Sequence, residues 1–407
     1  MVRTGHQRDL LGQEIVDFDE RVDMERLKRE RLARLQKQMA KANLGGMLFF
    51  DPVNIRYATG RRFPGVFGMR FFSQYAIVPQ EGTPLVFGNH NEDGSYAMEK
   101  GTFWDFFPCG RNVEEASRLW GDRLVDSMKE LGIAGERLGI DRMDFYCSES
   151  LKAHEIEIAD GRIPIERARS IKTEDEVSLI RQACAIADIA ICAVRDAIEP
   201  GVTENELFAI MTQTNLKHGG EHMDARLLTA GGNTNPWTGN STDRIVRPGD
   251  LVAMDTDMAG PMGYFADISR TYLCGDGKPN PEQLESYKRA YEFLYKSIPL
   301  FTVGASFQEI AEKVPEIPDE YRANRYSVLA HGVGMSDEWP ALYFTDTSTT
   351  GFGNVPGVLE ENMFMTMEAS FGKENGREQV KLEEQLLITA NGPEIISQAP
   401  FDWRFLD

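Results

Sequence analysis

Three aspartates, Asp255, Asp257 and Asp267, fall within one short apolar stretch, residues 251–271, LVAMDTDMAGPMGYFADISRT. Its first four residues are apolar and read as a strand buried on both faces. Gly260, Pro261 and Gly263 read as a turn, and residues 264–272, rich in aromatic and β-branched side chains, as a returning strand. Asp255 and Asp257 are two apart, so an extended strand points both to one face. Such a hairpin gathers three carboxylates. Like charges at close quarters repel strongly in a low dielectric, so the cluster requires a cation or shared protons. A metal is the economical answer. Downstream, His331 sits in AHGVG, Glu368 ends MFMTME and Glu383 lies in VKLEEQLLI, each at the edge of an apolar strand. Any one of these alone reads as a solvated strand-end or turn residue. Together they form an oxygen-rich donor set with one nitrogen, suited to two carboxylate-bridged divalent first-row ions with room for water or substrate.

The order Asp, Asp, His, Glu, Glu in the second half of the chain, with the helix opening RSIKTEDEVSLIRQA, resembles the pita-bread metalloenzymes of the creatinase/prolidase/methionine aminopeptidase superfamily. The resemblance covers nearly the whole chain. Most of those enzymes carry an aspartate where this chain has Thr256, flanked instead by Asp255 and Asp257. This DTD variant, with HGVGMSDEWP from the histidine onward, is more similar to the dimethylsulfoniopropionate lyases of that fold than to its peptidases. The resemblance implies a small α/β N-terminal domain, a C-terminal pita-bread catalytic domain, a homodimer and two divalent ions (iron, manganese or zinc). Asp267 and Glu383 would bridge the ions, Asp255 and Asp257 hold one, and His331 and Glu368 the other. Glu384 is set aside, because neighbours on a strand face opposite ways.

The elements that position these residues follow from composition and pattern. A chain of 407 residues exceeds one ordinary core, and 42% hydrophobic with 27% charged residues is ordinary for a globular enzyme. The mixed α/β pattern divides into an arm over 1–23, a small domain over 24–165 and a metal-binding domain over 166–407. A formal charge of −20 argues against nucleic acid as a partner. The five cysteines are scattered without a CxxC pair and read as reduced thiols. No apolar run reaches the ~18 residues of a membrane span, and the polar start has no signal core, so a cytoplasmic protein is expected.

Leucines and alanines three or four apart over 24–43 predict an amphipathic helix stopped by Gly45-Gly46. Strands are expected in GMLFF, RFFSQYAIVP, PLVFG, FWDFFP and RLGID, with a helix over 114–131. Arg61, Arg62 and Arg70, among Phe63, Phe67, Phe71 and Phe72, read as strand packing with solvated cations, or as a loop closing over a carboxylate substrate. Capping boxes open helices at Thr173-x-x-Glu176, Thr203-x-x-Glu206 and Ser306-x-x-Glu309. GVTENELFAIM and GASFQEIAEKV are parallel passages, consistent with an internal two-fold repeat.

In the related peptidases, histidines beside the metals move protons. Here position 338, seven past His331, is Glu338, and the upstream loop TAGGNTNPWTGN offers Trp237 instead. His218 and His222 read as structural. Asp337, six past His331, can serve as a base in a partly desolvated pocket; the lyases use an aspartate at this position, and Tyr326 matches a tyrosine of their pocket. Trp237 and Trp339 read as core or as aromatic faces for a sulfonium. The implied reaction is β-elimination of dimethylsulfoniopropionate, a zwitterionic carboxylate, to dimethyl sulfide and acrylate. An Xaa-Pro metallopeptidase, or another metal-dependent hydrolase of a small amide, is the alternative.

Overall fold

The structure, a computed structural model, describes residues 22–61, 74–88, 98–99, 112–237, 239–350 and 354–406. The arm up to residue 21, Arg62, Phe63, Phe67, Arg70, Phe71, Phe72, the FWDFFP stretch and Cys109 lie outside the described residues. The chain divides into two compact units, one spanning Asp23–Arg169 and the other containing Ser170–Asp407.

The first unit begins with α1 (Met24–Lys41), capped by the Asp23 carboxylate, which accepts from the Arg26 amide at 2.9 Å. Leu27, Leu32, Leu35 and Met39 form its buried stripe. Then come β1 (Gly46–Phe49), α2 (Pro52–Thr59), β2 (Gln74–Pro79), β3 (Leu85–Gly88), β4 (Met98–Glu99), α3 (Val113–Glu130), β5 (Leu138–Ile140), α4 (Phe145–Ala153), β6 (Ile158–Asp160) and α5 (Arg162–Ser170). The sheet order is β4-β3-β2-β1-β5-β6. Strand β1 pairs antiparallel with β2 and parallel with β5. Leu48, Phe50, Tyr75, Ile77, Trp120 and Leu124 are among its core residues.

The second unit opens with α6 (Glu174–Ala197) and α7 (Glu204–Lys217), both carrying complete capping boxes. By length and composition α6 is apolar enough to cross a membrane, a qualification to the sequence expectation. It starts, however, on Glu174, Asp175 and Glu176 and buries Ile180, Ala183, Ala187, Ile191 and Val194 within the unit. Strands β7 (His222–Met223), β8 (Leu228–Ala230), β9 (Leu251–Asp255), β10 (Met258–Ala259), β11 (Phe265–Ala266) and β12 (Ser269–Leu273) form two small sheets, β11-β10-β7 and β12-β9-β8. Next come α8 (Pro281–Ser297), α9 (Phe307–Lys313), α10 (Asp319–Arg322) and strands β13 (Val328–Val333), β14 (Asp337–Tyr343), β15 (Phe364–Phe371), β16 (Val380–Thr389) and β17 (Gly392–Ile395). Those strands form one antiparallel sheet in the order β14-β13-β15-β16-β17.

The parallel passages are alike in structure. The third capping box also forms, on α9, and in each passage the cap residue makes a single β-bridge, Thr203 to Ile245 and Ser306 to Val358. One face of β15 and β16 packs Met365, Met367, Ala369, Leu382 and Leu386 into the core shared with Tyr287, Ala290, Phe293 and Leu294 of α8. The other face is polar though buried. It meets β12 along a seam where the Thr271 hydroxyl donates to the Lys381 carbonyl (2.8 Å) and Arg270 donates to the Glu383 carbonyl (2.6 Å).

Candidate metal centre

The hairpin forms around its acidic residues, with a change from the sequence expectation. Leu251–Asp255 pairs with Ser269–Leu273, and Met258 with Ala266, but the ladder breaks at Thr256–Asp257 and again at Asp267–Ile268. Asp257 has φ 33°, outside the extended region, a conformation costly for a non-glycine residue. The convergence of Asp255 and Asp257 therefore comes from a broken strand rather than from simple alternation. Thr256 turns inward: its hydroxyl donates to the Ala266 carbonyl (2.8 Å) and accepts from the Ile268 amide (3.0 Å). It braces the hairpin while the aspartates on either side face the third. Ligand oxygens of Asp255, Asp257 and Asp267 lie within 4.8 Å of one another.

Strand register supplies the other side. Glu368 is the direct partner of Glu383, and His331 pairs with Thr366, so these residues share one face. Asp267, His331 and Glu383 offer ligand atoms all within 4.8 Å of one another. His331 Nε2 is 3.2 Å from Asp267 Oδ2 and 3.4 Å from Glu368 Oε1. Its Nδ1 lies 3.1 Å from the Gly332 carbonyl, an arrangement that orients a ligating imidazole. Glu384 faces away, bonded to Arg270 and Tyr295 at 2.9 Å each.

Asp267 Oδ1, Glu368 Oε1 and Glu383 Oε1 are buried without a hydrogen-bond partner. Buried carboxylate oxygens in that state are costly, and cations supply what they lack. The donor set fits two divalent ions, with Asp267 common to both clusters. Electrostatics agree: burial, then the Asp255 and Asp337 charges, push Asp257 up to about 9. Burial, then Glu383 and Asp255, pushes Asp267 well above the carboxylate range.

Asp337, at the start of β14, has an exposed side chain whose Oδ1 lies 3.9 Å from His331 Nδ1. Desolvation by the residues crowded around the carboxyl raises its pKa to about 6 against the pull of His331. Glu338 takes the opposite face and forms a buried ion pair with Lys172. Trp237 is buried, its amide donating to Gln379 Oε1 at 3.0 Å, and its ring centroid lies 5.9 Å from Lys381 Nζ. The Tyr326 ring lies 5.5 Å from the same ammonium; burial and then Glu368 raise its pKa, keeping the phenol protonated. Trp339 instead packs edge-on to Phe307, at 5.4 Å, against the core. His218 caps the end of α7 and His222 lies in β7 opposite Ala259.

Sequence reasoning missed Lys381. Its ammonium is buried among Glu368 Oε2 (2.8 Å), Asp255 Oδ2 (3.1 Å) and Glu383 Oε2 (3.5 Å), and it donates to Ser269 Oγ at 3.0 Å. Burial opposes its charge, but the surrounding carboxylates hold its pKa well above the usual lysine value. The signal was present as alternation: Thr366, Glu368, Ser370 and Lys381, Glu383, Gln385 put a polar residue at every second place of two buried strands. A polar period of two in an otherwise apolar strand marks one face lining a site.

Residues 178–390 match the model of metallopeptidase family M24, and residues 31–171 that of the creatinase/prolidase N-terminal domain. The dimethylsulfoniopropionate lyase DddP of Roseovarius nubinhibens is 30% identical over 392 residues, covering 93% of this chain and 87% of the relative. The Xaa-Pro dipeptidase of Pyrococcus furiosus is 28% identical over 375 residues, covering 89% and 96%. Among solved structures, the prolidase of Pyrococcus horikoshii superposes with a TM-score of 0.71 at 23% identity, over 91% of this chain and 99% of that one, a likeness of fold. The chain belongs to metallopeptidase family M24, a two-domain enzyme with a creatinase/prolidase-type N-terminal domain and a pita-bread metal-binding domain.

Proposed function

We propose that this protein is a carbon–sulfur lyase that cleaves dimethylsulfoniopropionate by β-elimination. The observation that carries the reading is Asp337. It is a carboxylate with a raised pKa, 3.9 Å from the candidate ligand His331, near where the peptidases place a histidine. Two divalent ions held by Asp255, Asp257, Asp267, His331, Glu368 and Glu383 would supply Lewis acidity toward the substrate carboxylate, easing loss of the α proton. Asp337 takes that proton. The Cα–H electron pair becomes the Cα–Cβ double bond, the Cβ–S bond breaks toward sulfur, and neutral dimethyl sulfide leaves acrylate. Protonated Tyr326 donates a hydrogen bond within the pocket, and Trp237 gives an aromatic wall. The 30% identity to a dimethylsulfoniopropionate lyase supports this reading.

Hydrolysis of Xaa-Pro dipeptides is the second reading, favoured by the 28% identity to the Pyrococcus furiosus dipeptidase. Parallel incubation of metal-loaded protein with the sulfonium compound and with an Xaa-Pro dipeptide separates the two. We further propose a cytoplasmic homodimer; light scattering should give twice the 45.8 kDa chain mass, and a monomer mass at every concentration would refute it.

A further inference from the structure

We infer that Lys381 is a resident third cation of the metal centre, a positioning residue that sets the charge of the site so that it accepts a small carboxylate. The inference rests on the reading of the site as a two-metal centre that binds a substrate carboxylate. Lys381 Nζ reaches three candidate ligands at once, Glu368 at 2.8 Å, Asp255 at 3.1 Å and Glu383 at 3.5 Å. From each glutamate it takes Oε2, leaving Oε1 of both without a hydrogen-bond partner. The ammonium thus allocates oxygens, one to itself and one to a metal. Ser269 secures this division, accepting from Lys381 at 3.0 Å and donating to Glu383 Oε2 at 2.9 Å.

Charge arithmetic gives the consequence. Five carboxylates (Asp255, Asp257, Asp267, Glu368, Glu383) and a neutral imidazole carry five negative charges, and two divalent ions return four positive ones. Lys381 brings this ligand set with its two ions to zero, leaving Asp337 beside His331 as a further negative charge when ionised. Without Lys381 the loaded site is one unit more negative and repels an incoming carboxylate, while the metal-free site attracts divalent cations more strongly. At distances of a few ångströms, a unit charge changes affinity for a divalent ion or an anion by on the order of tenfold even with water-like screening.

The test compares wild type, Lys381→Met and Lys381→Arg, each stripped and then titrated with Mn²⁺ alone, and afterwards with propionate, by calorimetry and thermal melting. Lys381→Met should bind Mn²⁺ about tenfold more tightly and propionate about tenfold more weakly. It should also melt earlier than wild type when metal-free, yet match it when loaded. Lys381→Arg should restore wild-type values. Unchanged or weaker Mn²⁺ binding, or an equal loss of melting temperature with and without metal, would overturn the inference and leave Lys381 a structural ion pair. Lys381→Gln, neutral but still polar, takes the place of Met if the latter does not fold. No turnover is measured, so a failed lyase assay does not decide these outcomes. If wild type binds Mn²⁺ but no propionate, the carboxylate role falls together with that part of the functional reading.

Discussion

Replacing Asp337 by Asn removes the proposed proton acceptor while sparing the candidate ligand set. Asp337→Asn should retain its metal, by elemental analysis, and lose about 10²–10⁴ in turnover, the usual cost of a missing general base. Asp267→Ala should lose metal and activity together, since Asp267 is common to both acidic clusters. The proposed base acts only when ionised. Desolvation places Asp337 at about 6 without metal, and bound cations lower that value. Activity should therefore fall as pH drops below about 6, and a profile that does not fall on acidification would count against it. The residue types were legible in sequence because carboxylates on apolar strands have few other uses. Lys381 was not, since a lysine beside two glutamates on a strand reads as a solvated charge until register shows that its face is buried. Trp339 was ambiguous for a similar reason: an aromatic ring serves core and pocket equally, and its contact with Phe307 is not visible in sequence.

Among the elements, the hairpin around Thr256 carries the most. Sequence pattern located both strands and the turn, as it did the three capping boxes, because these are local signals. The break at Asp257 was not legible, since it depends on the Thr256 hydroxyl reaching across to Ala266 and Ile268. Thr256→Val keeps the shape but leaves a buried carbonyl and amide unpaired. It should cost about 1–3 kcal/mol in chemical denaturation and weaken metal binding in calorimetry, with Thr256→Ser retaining most of both. A Val variant as stable as wild type would remove the brace from the account.

For the whole molecule, buried acids couple stability to metal. Burial raises Asp257 to about 9, and raises Asp188, which accepts from the Gln398 and Ala399 amides, to about 6. Both folded values lie above the unfolded aspartate value of about 3.9. Their stabilising contribution is therefore complete below that value and lost as pH rises through about 6 and about 9. Chelated protein should melt at a lower temperature at pH 9 than at pH 6, and added divalent metal should raise the melting temperature more at pH 9. The two-domain α/β organisation was readable from alternating strand and helix patterns, whereas the seam joining β12 to β16 was not, because it is built from side chains far apart in sequence. The reaction itself is the most direct test. Metal-loaded protein is incubated with dimethylsulfoniopropionate while dimethyl sulfide and acrylate are followed, with an Xaa-Pro dipeptide in parallel. Equimolar dimethyl sulfide and acrylate with little dipeptide cleavage is the predicted result; cleavage of the dipeptide with the sulfonium compound left intact would contradict it.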